Sequence, residues 1–488
     1  MTKISTNEII EKKLVDSHFF RLLKSPSYET NIKSPSFFLT NKRFDLGFKL
    51  TYLKYKNTKS QWPKDLYISH INAFSLGEFT EPGNPKKNNS EIFLESFDSI
   101  TKDIAANGFR EDESLIPINH NNIILNGAHR VSSAIHNKRT ISTIQIDEPD
   151  PNYDYIFFKK RNVKQQYLDC AALSIIENKE DLFAAILWPS SNSKITDIEK
   201  LIPNIFYIKS INLNKNGAHN LLSQIYFEEE WIGSPQDNFK GCYGKLTECF
   251  QSNSPLRIVI FQSKNLNDVL KIKNKVRSFY KIGKHSIHIT DDHEETLTTA
   301  NILLNDNTVH FLNNAHPNKF LNFRKKISKL KEYINKNKIN SEDLLIDTSS
   351  TLAIYGVRDA NDIDILTRLP KTLFSDSDID IHNDSIKFHQ SSIEELITNP
   401  SNYFTYEGLK FLSLNRLKIF KENRNEIKDK LDLEMIERLV KKEKSALLVK
   451  LLHYLNFKLL KIRKVIIKTL KHIKLYNLVR FIYRKLKG

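Results

Sequence analysis

The sequence predicts a multidomain α/β protein that ends in basic amphipathic helices. A chain of 488 residues is too long for one compact core, so several domains are expected. Strand-like and helix-like segments alternate through its middle, which is typical of α/β domains. Residues 441–488 hold 15 Lys and Arg against one acid, a net charge of +14 out of +17 for the whole chain. We therefore predict folded domains at residues 1–165, 166–335 and 336–440, followed by a helical tail at 441–488.

Composition and the N-terminus favour a cytoplasmic protein. Apolar residues make up 40% and charged residues 27% of the chain, which are values of globular proteins. Three cysteines are too few for a disulfide framework. The first residues lack the apolar stretch of a secretory signal, and no apolar run reaches the roughly 18 residues of a membrane-spanning helix.

The first domain carries a short motif suited to phosphate, Asn-Gly-Ala-His-Arg at residues 126–130. We predict a strand at Ile123–Leu125, a glycine turn, and a helix from Ala128 to Ile135. At such a junction free backbone N–H groups, the positive end of the helix dipole and Arg130 converge, which favours a phosphate ligand. The alternative is an ordinary helix start in which Arg130 pairs with a carboxylate.

The motif is similar to the Gly-x-His-Arg signature of the ParB/sulfiredoxin superfamily, over residues 40–165. That superfamily includes a small-molecule serine kinase as well as DNA-partitioning CTPases. The resemblance implies a ParB/sulfiredoxin-like α+β domain that contacts nucleotide phosphates through Gly127, His129 and Arg130. The kinase branch fits better, because no helix-turn-helix follows and no basic surface is concentrated in this domain. Glu78 or Glu81, in a polar loop, would supply a catalytic acid or base.

The second domain is predicted to be α/β, with strands at Leu256–Phe261 and Ser286–Thr290 and helices at Val269–Tyr280 and Glu294–Leu304. Three histidines and two aspartates crowd residues 285–293 and suggest a metal site. The competing interpretation is that Asp291 or Asp292 caps the following helix. The strand-to-helix junction makes Lys284 and His288 candidates for phosphate binding or acid–base work. We assign no role to residues 227–250, which contain Trp231, Gly233 and Lys245.

The third domain contains the most informative stretch, Ser349–Leu366, in which Asp362 and Asp364 alternate with isoleucines. Alternation at period two places both carboxylates on one face of a strand. Because like charges repel, a divalent metal that carries phosphate is the expected partner. Two solvated aspartates on an edge strand are the alternative.

This stretch resembles the nucleotidyltransferase fold, whose pattern is a small pair such as Gly-Ser, about ten residues, and then Asp-x-Asp on the next strand. Ser349 and Ser350 stand at the small pair, and the resemblance implies Mg²⁺ bound by Asp362 and Asp364. Residues expected to hold the phosphates of a nucleoside triphosphate are Ser349, Ser350, Gly356 and Arg358. The family's third carboxylate comes from a later strand, where the candidates are Asp378, Asp380 and Asp384.

Residues 421–432 are predicted to be helical and are rich in lysine, aspartate and glutamate. Lys421, Lys428, Asp429 and Asp432 resemble the Lys-Asp-x-x-Asp helix of the phosphocholine- and phosphoribitol-transferring branch of that fold. The alternative is a surface helix with salt bridges one turn apart, such as Lys428–Asp432.

The tail has the pattern of an interfacial anchor. Its apolar residues recur every three or four positions from Leu448 to Ile473, and lysines occupy the other faces. Such a helix lies in an anionic membrane surface, so we predict peripheral binding at the inner face of the cytoplasmic membrane. A calmodulin-like partner or RNA is the alternative.

Together these features predict a metal-dependent phospho- or nucleotidyl-transferase. Its substrate would be a phosphorylated small molecule or sugar, and its pathway bacterial surface polysaccharide (capsule or O-antigen) biosynthesis. The rival function is a ParB-like nucleic-acid-binding protein or an RNA nucleotidyltransferase. Nucleic acid is the less expected partner because the excess charge is confined to the tail. A scaffold that has lost its chemistry is the third possibility.

Overall fold

The computed structural model describes residues 2–81, 87–374 and 379–440, together with positions 462, 465–472, 475–477 and 479 of the tail. It contains three mixed or antiparallel sheets with helices packed around them. The predicted α/β multidomain class is therefore confirmed. We call the parts built around the three sheets the first, second and third units.

The first unit has a four-stranded mixed sheet. Its strands are β1 (Thr2–Ser5), β2 (Ser27–Lys33), β3 (Ile116–Ile118) and β4 (Ile141–Gln145). Its helices are α1 (Thr6–Glu11), α2 (Asp45–Tyr55), α3 (Trp62–Ser75), α4 (Ser90–Asn107), α5 (Ala128–His136) and α6 (Tyr155–Lys160). The strand order is β1-β2-β4-β3, and only the β3–β4 pair is parallel. The predicted helix from Ala128 is confirmed, whereas the strand expected at Ile123–Leu125 is a single bridge between Ile118 and Ile124.

The second unit has a four-stranded sheet that is antiparallel throughout. Its strands are β5 (Leu182–Leu187), β6 (Ile205–Ile211), β7 (Leu256–Gln262) and β8 (Ile287–Ile289). Its helices are α7 (Gln165–Glu177), α8 (Ile195–Leu201), α9 (Lys215–Ile225), α10 (Cys242–Cys249), α11 (Leu266–Tyr280), α12 (His293–Leu303) and α13 (Asp306–Asn314). The order is β6-β7-β5-β8. Ligands collect at the carboxyl ends of strands only when those ends share an edge, as in parallel sheets. That argument for Lys284 and His288 therefore does not hold here.

The third unit has a five-stranded mixed sheet. Its strands are β9 (Leu344–Ile346), β10 (Ile363–Thr367), β11 (Ile379–Ile381), β12 (Tyr403–Tyr406) and β13 (Leu409–Leu412). Its helices are α14 (Leu321–Lys336), α15 (Ser349–Ile354), α16 (Ile393–Thr398), α17 (Leu414–Arg424) and α18 (Ile427–Val440). The order is β11-β10-β9-β13-β12. β10 is antiparallel to β9 and parallel to β11, which brings three consecutive strands side by side.

Two large apolar cores connect these units. Phe44 and Trp62 of the first unit belong to the same core as the second sheet. A Cβ on Gly47 would collide with the carbonyl of Ala171, so the close approach of α2 to α7 requires glycine. The core of the third unit includes Phe311 of α13 and the apolar face of α14. The domain boundary predicted from the sequence placed α14 in the second domain.

Candidate active site

A row of carboxylates crosses the third sheet. Asp364 on β10 and Asp380 on β11 are register partners in a parallel strand pair. Asp347 extends β9 by one residue, and its N–H donates to the carbonyl of Asp364 at 2.8 Å. Partners in register project from the same face of a sheet. Asp347, Asp364 and Asp380 therefore lie side by side on one face, a set that we call the carboxylate row.

Of the predicted pair Asp362 and Asp364, Asp364 is the middle member of this row and Asp362 lies just before its strand. β10 begins at Ile363, so Asp362 precedes it by one residue and is exposed, whereas Asp364 is half-buried. Ile363 and Ile365 are buried on the opposite face, as the alternation predicted. Burial raises the pKa of Asp364, and the charges of Asp362 and Asp347 raise it further. An ionised Asp364 is thus disfavoured until a cation compensates it.

The innermost member, Asp347, is stabilised as an anion. It is fully buried, and burial alone would raise its pKa. The Nε2–H of His389 donates to its Oδ2 at 2.9 Å, the Nδ1 of His382 lies 3.6 Å from that oxygen, and the Thr348 N–H donates to its Oδ1 at 2.7 Å. These contacts bring the pKa of Asp347 well below its ordinary value. The row therefore runs from the buried Asp347, whose negative charge is compensated by its partners, through the half-buried Asp364 to the exposed Asp380.

Sequence reasoning missed Asp347, His382 and His389. His382 had a signal, because it follows Asp380 by two residues and the same alternation places it on the same face. His389 had none, since it lies beyond the sheet and reaches Asp347 only through tertiary packing against Phe420. The charge of His382 lowers the pKa of Asp364, which couples the histidine to the row.

The turn after β9 directs a hydroxyl toward the row. Thr348 has φ 48° and ψ −123°, a strained conformation for a β-branched residue. Its hydroxyl donates to the carboxylate of Asp364. The Ser350 hydroxyl donates to the carbonyl of Asp362 at 3.2 Å and is fully buried, so its role in the structure is to fix this turn. Ser349 is half-buried, and its hydroxyl has no partner among the described residues.

Gly356 and Arg358, both predicted phosphate contacts, are engaged elsewhere in the structure. Gly356 has φ +74°, and a Cβ there would meet the carbonyl oxygen of His316 at 2.6 Å. This close approach explains why a glycine occupies position 356. Arg358 forms a bidentate pair with Asp432, with N–O distances of 2.7 and 3.1 Å. Gly356 thus packs against His316, and Arg358 is bound to Asp432 of α18.

The candidates for the third carboxylate differ in where they lie relative to Asp364. Asp384 points away: its side chain is 91% exposed and pairs with Lys371 at 3.2 Å. Asp378 lies outside the described residues. Of the two candidates that the structure describes, Asp380 is the one that shares a register position with Asp364.

The lysine-rich stretch at 421–432 is not one helix. It breaks at Asn425, which has φ 53°, between α17 and α18. Lys421 is buried, with its Nζ 3.0 Å from Asp429 and 2.8 Å from Asp432. The predicted surface pair Lys428–Asp432 is wrong, because Lys428 is exposed and instead pairs with Glu426.

Two arginines complete this buried network, which we call the Lys421 network. Arg424 forms a bidentate pair with Asp429, and Arg358 forms the one with Asp432. Burial alone would raise the pKa of Asp429, but the bonds from Arg424 and Lys421 lower it to about 2. The network therefore attaches α18 to the loop that leads into β10.

In the first unit, the Gly127 turn forms as predicted, but His129 points inward. Gly127 has φ 85° and caps α5. His129 Nε2 shares a hydrogen bond with the Tyr67 hydroxyl at 2.8 Å, and burial lowers its pKa well below the ordinary value. Arg130 bonds the hydroxyl of Ser114, and no carboxylate among the described residues lies within salt-bridge distance of it. The alternative in which Arg130 pairs with a carboxylate is therefore not what the structure shows.

A buried chain of polar groups lies beneath this turn, and sequence reasoning did not find it. Arg43 pairs bidentately with Asp45, and Lys49 donates to Asp45 at 3.0 Å. Lys49 also lies 3.2 Å from His70 Nε2. Because the ammonium group of Lys49 can only donate, His70 Nε2 is the acceptor, while His70 Nδ1 donates to the carbonyl of Tyr67, which makes His70 neutral.

The two candidate acids of the first unit differ in position. Glu81 pairs with Lys87 at 2.8 Å. Burial lowers the pKa of both Arg130 and Lys49, and the negative charge of Glu81 opposes that shift in each. Glu78 is exposed. Of the two, Glu81 is the one near the Gly127 turn.

The histidine cluster at 285–293 forms a helix cap and a hydrogen bond. Asp292 accepts the N–H of Glu295 at 2.8 Å as the N-cap of α12, which confirms the capping interpretation. His288 Nε2 lies 3.0 Å from Glu295. Across the described parts of the chain, no three His, Cys, Asp or Glu side chains are grouped to hold a metal ion.

The carboxylate row nevertheless has suitable donor chemistry for Mg²⁺. Mg²⁺ is commonly bound by one or two carboxylates together with substrate phosphates and water. Asp362 and Asp364 are such a pair. The pKa of Asp364 is raised mainly by burial and further by the charges of Asp362 and Asp347, and a bound cation would oppose both effects. Two cavities, of about 210 and 110 Å³, lie elsewhere, at the boundaries between units. Neither is lined by a predicted site residue.

Comparisons with protein-family models, with curated proteins and with solved structures found no match to this chain.

Proposed function

We propose that the chain is a metal-dependent phospho- or nucleotidyl-transferase whose active site is the carboxylate row together with Asp362. The observation that carries the proposal is the register of β10 and β11, which sets Asp364 beside Asp380. A sheet with carboxylates on adjacent strands and a hydroxyl-rich turn beside them suits a metal-bound triphosphate. The substrate class we propose is a phosphorylated small molecule or sugar.

The proposed role of each residue follows from its burial and charge. Asp362 and Asp364 would hold Mg²⁺, which when bound neutralises phosphate charge and acidifies an attacking hydroxyl. Asp380 is exposed and accepts the proton of that hydroxyl as general base. Asp347 stays ionised between its two histidines and positions His382 beside Asp364. The half-buried Ser349 hydroxyl offers a donor to a phosphate oxygen.

The first unit supports a second nucleotide-binding site around the Gly127 turn. Arg130 has a serine as its polar partner and keeps its charge free of a salt bridge among the described residues. Glu81 lies close enough to influence it. We propose that Arg130 and the backbone of the Gly127 turn hold phosphate, with Glu81 as the acid–base candidate.

Membrane attachment through residues 441–488 belongs to the same proposal. Most of this tail lies outside the described residues, but positions 465–472 are helical. The apolar side chains Ile462, Val465 and Ile466 are more than half exposed, as an interfacial face requires. No helix among the described residues is both long and apolar enough to cross a bilayer. A lipid-linked acceptor in bacterial surface polysaccharide biosynthesis fits this arrangement.

Turnover of nucleoside triphosphates tests the proposal. The full chain is incubated with each triphosphate, Mg²⁺ and a panel of sugar phosphates, and released phosphate and pyrophosphate are measured. We expect Mg²⁺-dependent turnover that Asp364→Asn abolishes. Asp384→Asn is the matched control, because Asp384 is an exposed carboxylate of the same unit outside the row. Equal activity of wild type and Asp364→Asn, or DNA or RNA as the only productive acceptor, would overturn the proposal.

A further inference from the structure

Lys245 of the second unit lies among aromatic rings. Its Nζ is 3.6 Å from the ring centroid of Tyr226, 5.8 Å from that of Trp231 and 5.9 Å from that of Trp188. The side chain is half-buried, and Trp231 is 44% exposed. A ligand in solvent can therefore reach this ammonium group.

Two further cations lie around Lys245. Lys284 belongs to the turn Gly283–His285, which packs on α10, and Arg277 lies in the last turn of α11. Burial lowers the pKa of Lys245 to about 8, and the charges of Lys284 and Arg277 contribute to this shift, against Cys249 and Glu229. Lys284 and Arg277 therefore each lie close enough to Lys245 for their charges to oppose its own.

The half-buried Lys245 and Arg277 and the exposed Lys284 lack the carboxylate partners that the fully buried lysines of this protein have. Lys49, Lys209 and Lys421 each pair with aspartate. Within the described residues, Lys245, Arg277 and Lys284 form no salt bridge with a carboxylate. Lys284 and Arg277 near Lys245, with no carboxylate within salt-bridge distance of any of the three, are unfavourable for the charged form of Lys245, and a bound anion would stabilise that form.

Unsatisfied polar atoms occur in the same region. The Nε1–H of Trp188 and the Nε–H of Arg277 are buried donors without a hydrogen-bond partner, and the Nδ1 of His285 is also unpartnered. Trp188 is fully buried. Buried donors are rarely left unpaired, so these atoms indicate a missing acceptor.

The hydrogen bonds of Lys245 leave part of its ammonium group available. Its Nζ donates to the Tyr226 hydroxyl. That hydroxyl is 3.2 Å from His288 Nδ1, and His288 Nε2 is 3.0 Å from Glu295. Because a carboxylate only accepts, the donors run in one direction, from Lys245 to Tyr226 to His288 to Glu295. Two N–H groups of Lys245 remain for a ligand.

We propose that Lys245, Arg277 and Lys284 form a binding site for the phosphate group of a small molecule in the second unit. Trp231 borders this site, and the Tyr226–His288–Glu295 chain fixes Lys245 within it. The site is separate from the carboxylate row, so the inference does not depend on the proposed transferase activity.

Tryptophan fluorescence provides a direct readout, because two of the three tryptophans of the chain, Trp188 and Trp231, lie near Lys245. The full chain is titrated with inorganic phosphate at constant ionic strength, with chloride as the control anion. We expect a saturable change with phosphate only. Lys284→Gln and Arg277→Gln should each weaken it about tenfold, as expected for one lost charge-assisted hydrogen bond.

Three variants separate this site from other sources of signal. Lys271→Gln removes an exposed lysine of the same unit that pairs with Asp268, and it should bind as wild type. Asp364→Asn and Arg130→Gln alter the other proposed sites and should also leave the titration unchanged. The inference is overturned if Lys284→Gln and Arg277→Gln both bind like wild type, if Arg130→Gln abolishes the signal, or if chloride matches phosphate.

Discussion

Asp364 and Asp380 stand side by side on parallel strands, at the register position that places both carboxylates on one face of the sheet. Asp347 continues the row on the other side of Asp364. His382 and His389 lie beside the buried Asp347 and compensate its negative charge. Among the described residues, no cation forms a salt bridge with the outer carboxylates Asp362 and Asp380. The site is therefore set up with excess negative charge at its exposed end.

The first prediction concerns the effect of this negative charge on the stability of the folded protein. Because the pKa of Asp364 is raised, its ionised form destabilises the folded state at neutral pH. Asp364→Asn should therefore leave the melting temperature unchanged or raise it in the absence of metal. Addition of Mg²⁺ should stabilise wild type but not the variant. Thermal denaturation with and without Mg²⁺ measures both, and a destabilised variant that still responds to Mg²⁺ contradicts this account.

The second prediction is a pH dependence of stability at His382. Burial alone would lower the pKa of His382, but Asp347, with Asp364 and Asp380, raises it above the ordinary 6.5. A raised pKa gives stability that is complete below about 6.5 and is lost as pH rises through the folded pKa. His382→Asn should thus destabilise more at about pH 5.5 than at about pH 9. Urea unfolding at both pH values measures this, and equal destabilisation would refute the coupling.

The third prediction separates the members of the Lys421 network. Asp432→Asn leaves three cations with one carboxylate, so we expect a loss of about 3 kcal/mol in the free energy of unfolding, as when a buried pair is broken. Lys421→Met leaves two arginines with two aspartates and should cost less. The exposed Lys428→Met should change stability by less than about 0.5 kcal/mol. Denaturant titration gives the ranking, and a reversed order would show that the charge count does not govern the network.

The fourth prediction tests whether Gly356 is structural. Gly356→Ala should destabilise the chain strongly, because its φ of +74° and the carbonyl of His316 at 2.6 Å both oppose a Cβ. Gly408→Ala is the matched control, with φ +77° and open space around it, and should cost only about 1 kcal/mol. Unfolding free energies compare the two, and equal losses would remove the packing explanation.

The fifth prediction concerns the tail. Reversing Lys464, Lys468 and Lys471 to Glu should weaken binding to vesicles of anionic lipid at least about 100-fold, because each such lysine contributes about 1 kcal/mol. Reversing Lys325, Lys329 and Lys336, exposed on α14, changes the net charge equally and should have little effect. Vesicle sedimentation measures this. Equal effects of the two triple variants would mean that net charge, and not the tail, governs binding.

Local pattern predicted much of the fold. The strands at 256 and 287, the helices at 266 and 293, and the cap at Asp292 follow from periodicity and capping chemistry alone. The antiparallel order of the second sheet did not, because strand direction depends on long-range pairing that a local pattern does not encode. The helix break at Asn425 was not predicted from the sequence. Asparagine tolerates a positive φ, but its presence in a helical pattern does not by itself predict that the helix ends there.

The site was predictable in part. The alternation of Asp362 and Asp364 with the buried Ile363 and Ile365 was predictable because alternation is a local signal. Asp347, His389 and the cations around Lys245 come together only through tertiary packing. The engagement of Arg358 with Asp432 shows the limit of assigning a ligand role from a nearby positive charge. Strand register aligns Asp380 with Asp364, a relationship that the sequence left open among its three candidate aspartates.

Calorimetric titration of the full chain with a nucleoside triphosphate, with and without Mg²⁺, tests the central claim most directly. The account predicts Mg²⁺-dependent binding that Asp364→Asn removes and Asp384→Asn retains. Nucleotide binding that is independent of Mg²⁺ and unchanged in Asp364→Asn, or no binding of any triphosphate, would contradict it.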